Sequence, residues 1–195
     1  TTNSDKVKKT ESLANFALRV ESVSKKFVKR TGLIRRKEKT IRAVSRVNLE
    51  IKEGETLGLV GESGCGKTTL GQTIAGLTDP SDGKILLAIE GKISEISNLS
   101  EQERRSAWQH IRFVFQDPFA SLNPRMTVFE IVSESLRNGL SRIEDRRLQQ
   151  ERVYEVLERV VLDPAQSDRY PHAFSGGQRQ RIGIARALAP KPKIV

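Results

Sequence analysis

The chain has 195 residues, long enough for one domain with a real core, because a domain of that size buries roughly 70% of its unfolded surface. A net charge of +10 beside 36% hydrophobic residues excludes a disordered polyelectrolyte and describes a globular chain whose basic surface seeks anions: nucleic acid, phosphorylated ligands or an anionic membrane. The single cysteine excludes an internal disulfide, and no apolar run approaches the roughly 20 residues that cross a bilayer. With no export signal at the N-terminus, a reducing, cytosolic setting is expected.

Residues 1–15, "TTNSDKVKKTESLAN", are polar and aperiodic and read as a loose arm. Alternation at Phe16, Leu18 and Val20 predicts a half-buried strand. "KKFVKRTGLIRRKEKT" follows, with eight basic residues against Glu38 alone, and reads as a solvated hairpin loop or as a contact for anionic lipid or a partner. Val47, Leu49 and Ile51 alternate again before a Glu53-Gly54 turn. "TLGLV", a continuous apolar run, reads as a strand covered on both faces. Further strands are expected at "KILLAI", after Asp82-Gly83, and at "IRFVF". Ser100 and Glu103 form a capping-box pattern that starts a short helix through Trp108.

Beyond Pro124 the period changes to that of a helix. Val128, Ile131, Val132 and Leu136 share one face, as do Val153, Val156, Leu157, Val160 and Val161, the second set capped by Ser141 and Glu144. A helical lobe is therefore expected over about 125–170, between two stretches of sheet.

Gly61 to Thr68, "GESGCGKT", fits G-x-x-x-x-G-K-[ST] between an expected strand and an expected helix. A triphosphate needs backbone N–H groups at a helix N-terminus, where the peptide dipoles favour negative charge, and glycines let the backbone approach. In that reading Gly61, Glu62, Ser63, Gly64, Cys65 and Gly66 wrap the phosphates. Lys67 reaches the β- and γ-phosphates, the Thr68 hydroxyl ligates Mg²⁺, and Thr69 bonds the α-phosphate. Cys65 is a small filler residue inside the loop, or a thiol whose alkylation blocks nucleotide.

Ser175-Gly176-Gly177-Gln178 has a local explanation as a capping box opening a helix that runs to Leu188. Two glycines at a helix start cost backbone entropy, which suggests that something approaches the backbone closely, and a γ-phosphate suits such a site. Two phosphate sites in one chain are redundant unless each molecule lends its "SGGQ" to a nucleotide bound by the other.

"GESGCGKTT", "VFQDP" and "FSGGQRQRIGIARAL", in this order over about 180 residues, resemble the Walker A, Q-loop and signature motifs of the ABC transporter ATPase domain. "FQDPFASLNPRMTV" and "YPHAFSGGQRQRI" are similar to the ATPase subunits of bacterial oligopeptide and dipeptide importers. Related importers, for nickel among other solutes, share much of this wording. The resemblance implies an α/β fold: a P-loop NTPase, RecA-like parallel sheet with an N-terminal antiparallel β subdomain and a helical subdomain, spanning 16–195. It implies that Phe27 stacks on adenine and that Gln116 touches Mg²⁺ or the attacking water. It further implies a head-to-tail dimer with a copy or a paralogue, in which Ser175, Gly176, Gly177 and Gln178 act in trans. Membrane permease subunits would dock on the helical lobe, served indirectly by a solute-binding protein, at the cytoplasmic face of the bacterial inner membrane. Phe174 in place of the commoner leucine, Thr68-Thr69 in place of Ser-Thr, and the longer "AIEGKISEISNLS" depart from the family's wording without touching nucleotide binding.

The family's next motif carries the Asp and Glu that manage Mg²⁺ and the attacking water, with a histidine later still. Their places lie beyond "KPKIV", and His110 and His172 precede the signature helix and do not substitute. The sequence therefore reads as a domain incomplete at its C-terminus, expected to bind ATP but to be impaired in hydrolysis and marginally stable alone. The alternative reading is a soluble ABC ATPase acting on nucleic acid or ribosomes, which the basic surface permits but "FASLNPRMTV" disfavours.

Overall fold

A computed structural model describes residues 15–31, 37–97, 99–100, 103, 106–107, 109–117, 121–137 and 142–195, with 29–31 and 37–39 described by their backbone. The expected arm, Trp108 and Ser141 lie outside the described residues. The chain divides into two compact units: one takes the described residues up to Leu70 with those of Asp79–Asn98, the other Gly71–Thr78 with those of Leu99–Val195.

The first unit is built on an antiparallel sheet of four strands, β1 (Leu18–Thr31), β2 (Lys37–Ile51), β3 (Asp82–Ile89) and β4 (Lys92–Glu95), in the order β2-β1-β3-β4. Alternation sets the register. Leu18 pairs with Ile51 and Leu87, and Val20 with Leu49 and Ile85, so the apolar positions of β1 and β3 share one face; Leu18, Val20, Ile85 and Leu87 are all but fully buried. The register breaks around Val23, where Ser22 and Arg46 take positive φ of 51° and 45°. Side chains hold this bulge: the Ser22 N–H donates to Asn48 Oδ1 at 2.7 Å and the Arg46 N–H to Ser24 Oγ at 2.9 Å. Glu90 and Gly91, at φ 48° and 78°, both lie in the left-handed region and close a tight hairpin into β4, with Ile89 opposite Lys92.

Two expectations need correction here. The basic segment after Lys25 is not a loop throughout, because β1 and β2 stay paired out to Thr31 and Lys37. "TLGLV" is not a buried strand: Leu57, Leu59 and Val60 are exposed, Val60 to 93%, and no described segment pairs with it. A continuous apolar run signals the capacity for two-sided burial, and that capacity is realised only where neighbouring strands supply both edges. The parallel component among the described residues is one bridge, Ile111 with Ile194, in which the Arg112 N–H donates to Ile194 O at 2.9 Å and the Ile194 N–H to His110 O at 3.0 Å. It joins the openings of the two segments read as strands, "IRFVF" and the terminal "KIV".

Helix α1 (Lys67–Ile74) follows the glycine loop. The second unit adds α2 (Val128–Arg137), α3 (Arg146–Arg159) and α4 (Gly176–Leu188), with short 3-10 turns at Pro164–Gln166 and Pro171–Ala173. Val128, Ile131, Val132 and Leu136 of α2 pack with Val153, Val156 and Leu157 of α3 and Ile182 and Ala185 of α4 in one core, which Phe174 also enters. The expected one-face spacings are borne out, except that Val161 is exposed beyond the helix end at φ 58°. Ser100 and Glu103 exchange the expected capping bonds, and Ser100's hydroxyl and N–H hold the Glu103 carboxylate below its ordinary pKa. The cap of α3 differs from expectation. Asp145 accepts from the Arg147 N–H at 2.8 Å, whereas Glu144 pairs with Arg142; an Asp directly before the helix reaches the N2 amide with less loss of freedom than a residue four places earlier. Arg152 anchors the far end of α4, donating from Nε to Ala189 O at 2.8 Å and from Nη2 to Leu188 O at 3.0 Å.

Candidate functional site

The loop from Gly61 to Gly66 owes its shape to specific glycines. Gly64 and Gly66 lie at φ +83° and +99°, conformations that L side chains rarely adopt. A Cβ on Gly66 would meet the Ala43 carbonyl oxygen of β2 at 2.0 Å, so strand and loop touch backbone to backbone. A turn closes the loop, the Cys65 N–H donating to Glu62 O at 3.3 Å, and α1 then begins with the Leu70 N–H bonded to Gly66 O at 2.8 Å. Buried Leu70 and Thr73 fix the helix, and its first-turn amides, which have no intrahelical acceptor, face the loop's end.

Lys67 folds back over this loop. Its ammonium donates to the carbonyls of Gly61 and Glu62, both at 2.6 Å, and lies 3.5 Å from Cys65 Sγ. A cation held at the loop's mouth by neutral carbonyls can exchange them for phosphate oxygens without crossing a large distance. A cavity of about 390 Å³ adjoins it, walled by Val44, Val47, Leu59 and Leu70, with Arg42 and Lys67 as its charged groups. The size falls within the range of small-ligand sites. An anionic tail beside an apolar body is the ligand such a wall fits. Arg42 was not foreseen; it reaches the cavity through the pairing of β2, a long-range relation that leaves no local motif.

Phe27, on β1 in the same unit, is 45% exposed opposite Ile41, with the Lys25 ammonium 5.2 Å from its ring centre. Ser63, Thr68 and Glu62 are exposed along the loop and Thr69 is half-buried. In the second unit Gln116 is exposed, in a bend just after 111–115.

The other glycine motif has the expected capping box. The Ser175 N–H donates to Gln178 Oε1 at 2.9 Å, and the Gln178 N–H to Ser175 Oγ at 3.3 Å. Phe174 anchors the turn in the core, and Arg179 ties it to the carbonyls of Pro171 and His172. Gly176 and Gly177 are exposed, and a Cβ on either would meet nothing within 4 Å. Nothing among the described residues requires these two to be glycine. A second cavity in this unit, of about 250 Å³, is lined by Arg112, Phe113, Glu134, Ser135, Arg186 and Ala187; burial pushes both arginines below their ordinary pKa, with the Glu134 charge opposing the shift at Arg186.

A glycine loop of this kind opening a helix, with a lysine over its mouth, defines a P-loop nucleotide-binding domain. The ABC transporter family profile matches residues 44–195, and the chain belongs to that family. It is 49% identical over 179 residues to the oligopeptide transport ATP-binding protein AppF of Bacillus subtilis, covering 91% of this chain and 53% of that protein. It is 49% identical over 157 residues to the oligopeptide transport ATP-binding protein OppF of Escherichia coli, and 52% over 157 residues to the dipeptide transport ATP-binding protein DppF of Lactococcus lactis. These matches cover 80% and 79% of this chain, and 46% and 48% of those proteins. The chain thus spans about half the length of these relatives. Among solved structures, the dimeric post-hydrolysis state of the ATP-binding cassette MJ0796 bound to ADP and Pi superposes with a TM-score of 0.75 at 31% identity, over 90% of this chain and 70% of that one.

Proposed function

We propose that the protein is the ATP-binding subunit of an importer that couples ATP binding and hydrolysis to uptake of peptides or a related small solute. The observation that carries this reading is the Gly66 contact: only a residue without a side chain lets β2 press the loop into a shape in which consecutive amides and the Lys67 ammonium converge. In this reading Gly61 to Gly66 wrap the phosphates, Lys67 neutralises the β- and γ-phosphates, Thr69 bonds the α-phosphate and Phe27 stacks on adenine. Thr68 would supply a hydroxyl oxygen to Mg²⁺ and Gln116 an amide oxygen to Mg²⁺ or the attacking water; the ion would offset the charge of the phosphates.

Ser175, Gly176, Gly177 and Gln178 serve a nucleotide on a second subunit. Support comes from the open surface over both glycines and from the dimeric state of MJ0796. The helical segment around α2 and α3 takes the membrane permease subunits, which places the protein peripherally at the cytoplasmic face of the membrane; among the described residues no helix is long and apolar enough to cross it. Peptide import is favoured over action on nucleic acid or ribosomes by relatives named for peptide transport.

The test is equilibrium binding of a fluorescent ATP analogue with Mg²⁺ to the chain and to Lys67→Ala. Loss of a charge-assisted phosphate contact of about 2–3 kcal/mol should weaken binding by roughly 30- to 150-fold. Equal affinity for the two proteins would overturn the reading.

A further inference from the structure

The segment that leads into α4, residues 167–174, is fixed along its backbone and open at two of its side chains. The Phe129 N–H donates to Ser167 O at 2.8 Å and the Val128 N–H to Arg169 O at 3.0 Å, which ties the segment to the start of α2. Pro171 and Phe174 are buried, and Arg179 holds the carbonyls of Pro171 and His172. Between these anchors two aromatic side chains stand in solvent. Tyr170, 45% exposed, and His172, also exposed, stack face to face, with ring centres 5.7 Å apart and planes 7° from parallel.

Each ring fixes the plane of the other on a backbone that is itself held. The cap of α4 uses Ser175 and Gln178, and the core takes Phe174, so neither ring serves them. Exposed aromatic rings add little to stability in water, whereas rigid rings with a polar edge are characteristic of recognition surfaces. Position narrows what this pair recognises. Residues that precede an N-cap lie beyond the helix N-terminus, on the side from which an anion meets the exposed Gly176 and Gly177. His172 is three residues before Ser175, no more than about 11 Å along the chain.

We propose that His172 binds the ribose hydroxyls of the nucleotide held by a second subunit, with Tyr170 as the positioning residue that sets the imidazole plane. The inference rests on the shared-site reading above and adds to it the part of the nucleotide that the lending subunit reads. The glycine amides take the terminal phosphate, and Phe27 of the subunit that holds the nucleotide takes the base; the sugar lies between them, within reach of a residue just upstream of Ser175. A neutral imidazole has one donor and one acceptor nitrogen, and each hydroxyl of a vicinal diol offers both functions, so the two match in either tautomer.

Nucleotide-dependent dimerisation of the full chain, followed by sedimentation velocity with a non-hydrolysable ATP analogue and with its 2′,3′-dideoxy form, tests this as a cycle of protein against ligand. Each ribose hydrogen bond lost should weaken association about two- to ten-fold, and a symmetric dimer has two such sites. His172→Ala should therefore raise the dimer Kd with the ribonucleotide on the order of ten-fold or more. With the dideoxy analogue, parent and His172→Ala should be indistinguishable, because the contact is already absent. Tyr170→Phe keeps the stack and should match the parent, whereas Tyr170→Ser should weaken the ribonucleotide dimer several-fold. A His172→Ala protein that dimerises as the parent does with the ribonucleotide would overturn the proposal. So would an equal loss with both nucleotides, which would mean that the ring acts on the protein and not on the sugar. Absence of nucleotide-dependent dimers in the parent would instead overturn the shared-site reading, and this inference with it.

Discussion

Replacing Gly66 by alanine puts the backbone contact behind the loop to a direct test, with Gly64→Ala as its control. Both positions have positive φ, so each substitution incurs the left-handed penalty of about 1–2 kcal/mol for an L residue. They differ in space. A Cβ at position 64 meets nothing within 4 Å, whereas one at 66 would stand 2.0 Å from the Ala43 carbonyl oxygen, and real Cβ contacts stay above 3.0 Å. Loop and strand must then part by about 1 Å, adding an overpacking cost of about 1–3 kcal/mol. Gly66→Ala is thus expected to lose about 3 kcal/mol or more, a fall in Tm of at least roughly 6–12 °C for a chain of this size, against about 2–8 °C for the 1–2 kcal/mol lost in Gly64→Ala. The same displacement moves loop amides off the phosphates; losing two such bonds weakens nucleotide binding by at least a hundred-fold. Thermal denaturation followed by circular dichroism, with nucleotide titrations at a temperature where both variants are folded, measures both effects. A Gly66→Ala protein as stable as Gly64→Ala, or one that binds nucleotide like the parent, would refute the reasoning.

Gly177→Ala should behave in the opposite way. With no atom near the added methyl, stability should hold or rise by up to about 1 kcal/mol from helix propensity, while nucleotide-dependent association of subunits is lost; a drop in Tm of several degrees would contradict this. Arg152→Ala should cost about 3–4 kcal/mol in a denaturant titration, because it leaves the Leu188 and Ala189 carbonyls without this buried donor; a loss under 1 kcal/mol would show that the anchor is dispensable. The hydrogen bond from Arg152, helped by its charge, holds the Glu155 carboxylate below its ordinary pKa. A depressed folded-state pKa stabilises above the unfolded value and is lost as pH falls through the folded one, so Glu155→Gln should lower stability at neutral pH, leave it little changed in acid and thereby flatten the acid limb of the stability curve, as denaturant titrations across pH would show.

Local chemistry was legible in the sequence and long-range pairing was not. The caps at Ser100 with Glu103 and at Ser175 with Gln178 are four-residue patterns whose partners lie within one turn, and the structure shows both. Thr127 with Glu130 is the same pattern and caps α2, the Thr127 N–H donating to Glu130 Oε2 at 2.8 Å; the apolar spacing that begins at Val128 is the louder signal there. β4 was missed because Glu90-Gly91 is a weak hairpin signal, its first residue being a poor choice for positive φ. "TLGLV" misled for the opposite reason, since an apolar run reports what could cover it and not what does. Lys67 and its glycines were readable because the loop is contiguous, whereas Arg42 belongs to the cavity only through the fold of β2.

The central claim is that the glycine loop of one molecule and the "SGGQ" of another build one nucleotide site, and mixing two defective proteins tests it most directly. Lys67→Ala keeps an intact "SGGQ" and Gly177→Ala an intact phosphate loop, so neither should form a nucleotide-dependent dimer alone. Sedimentation velocity of their equimolar mixture with a non-hydrolysable ATP analogue and Mg²⁺ should show a dimer carrying one restored site. A mixture that stays monomeric while the parent chain dimerises under the same conditions would contradict the claim, because it would mean that both motifs must belong to the same molecule.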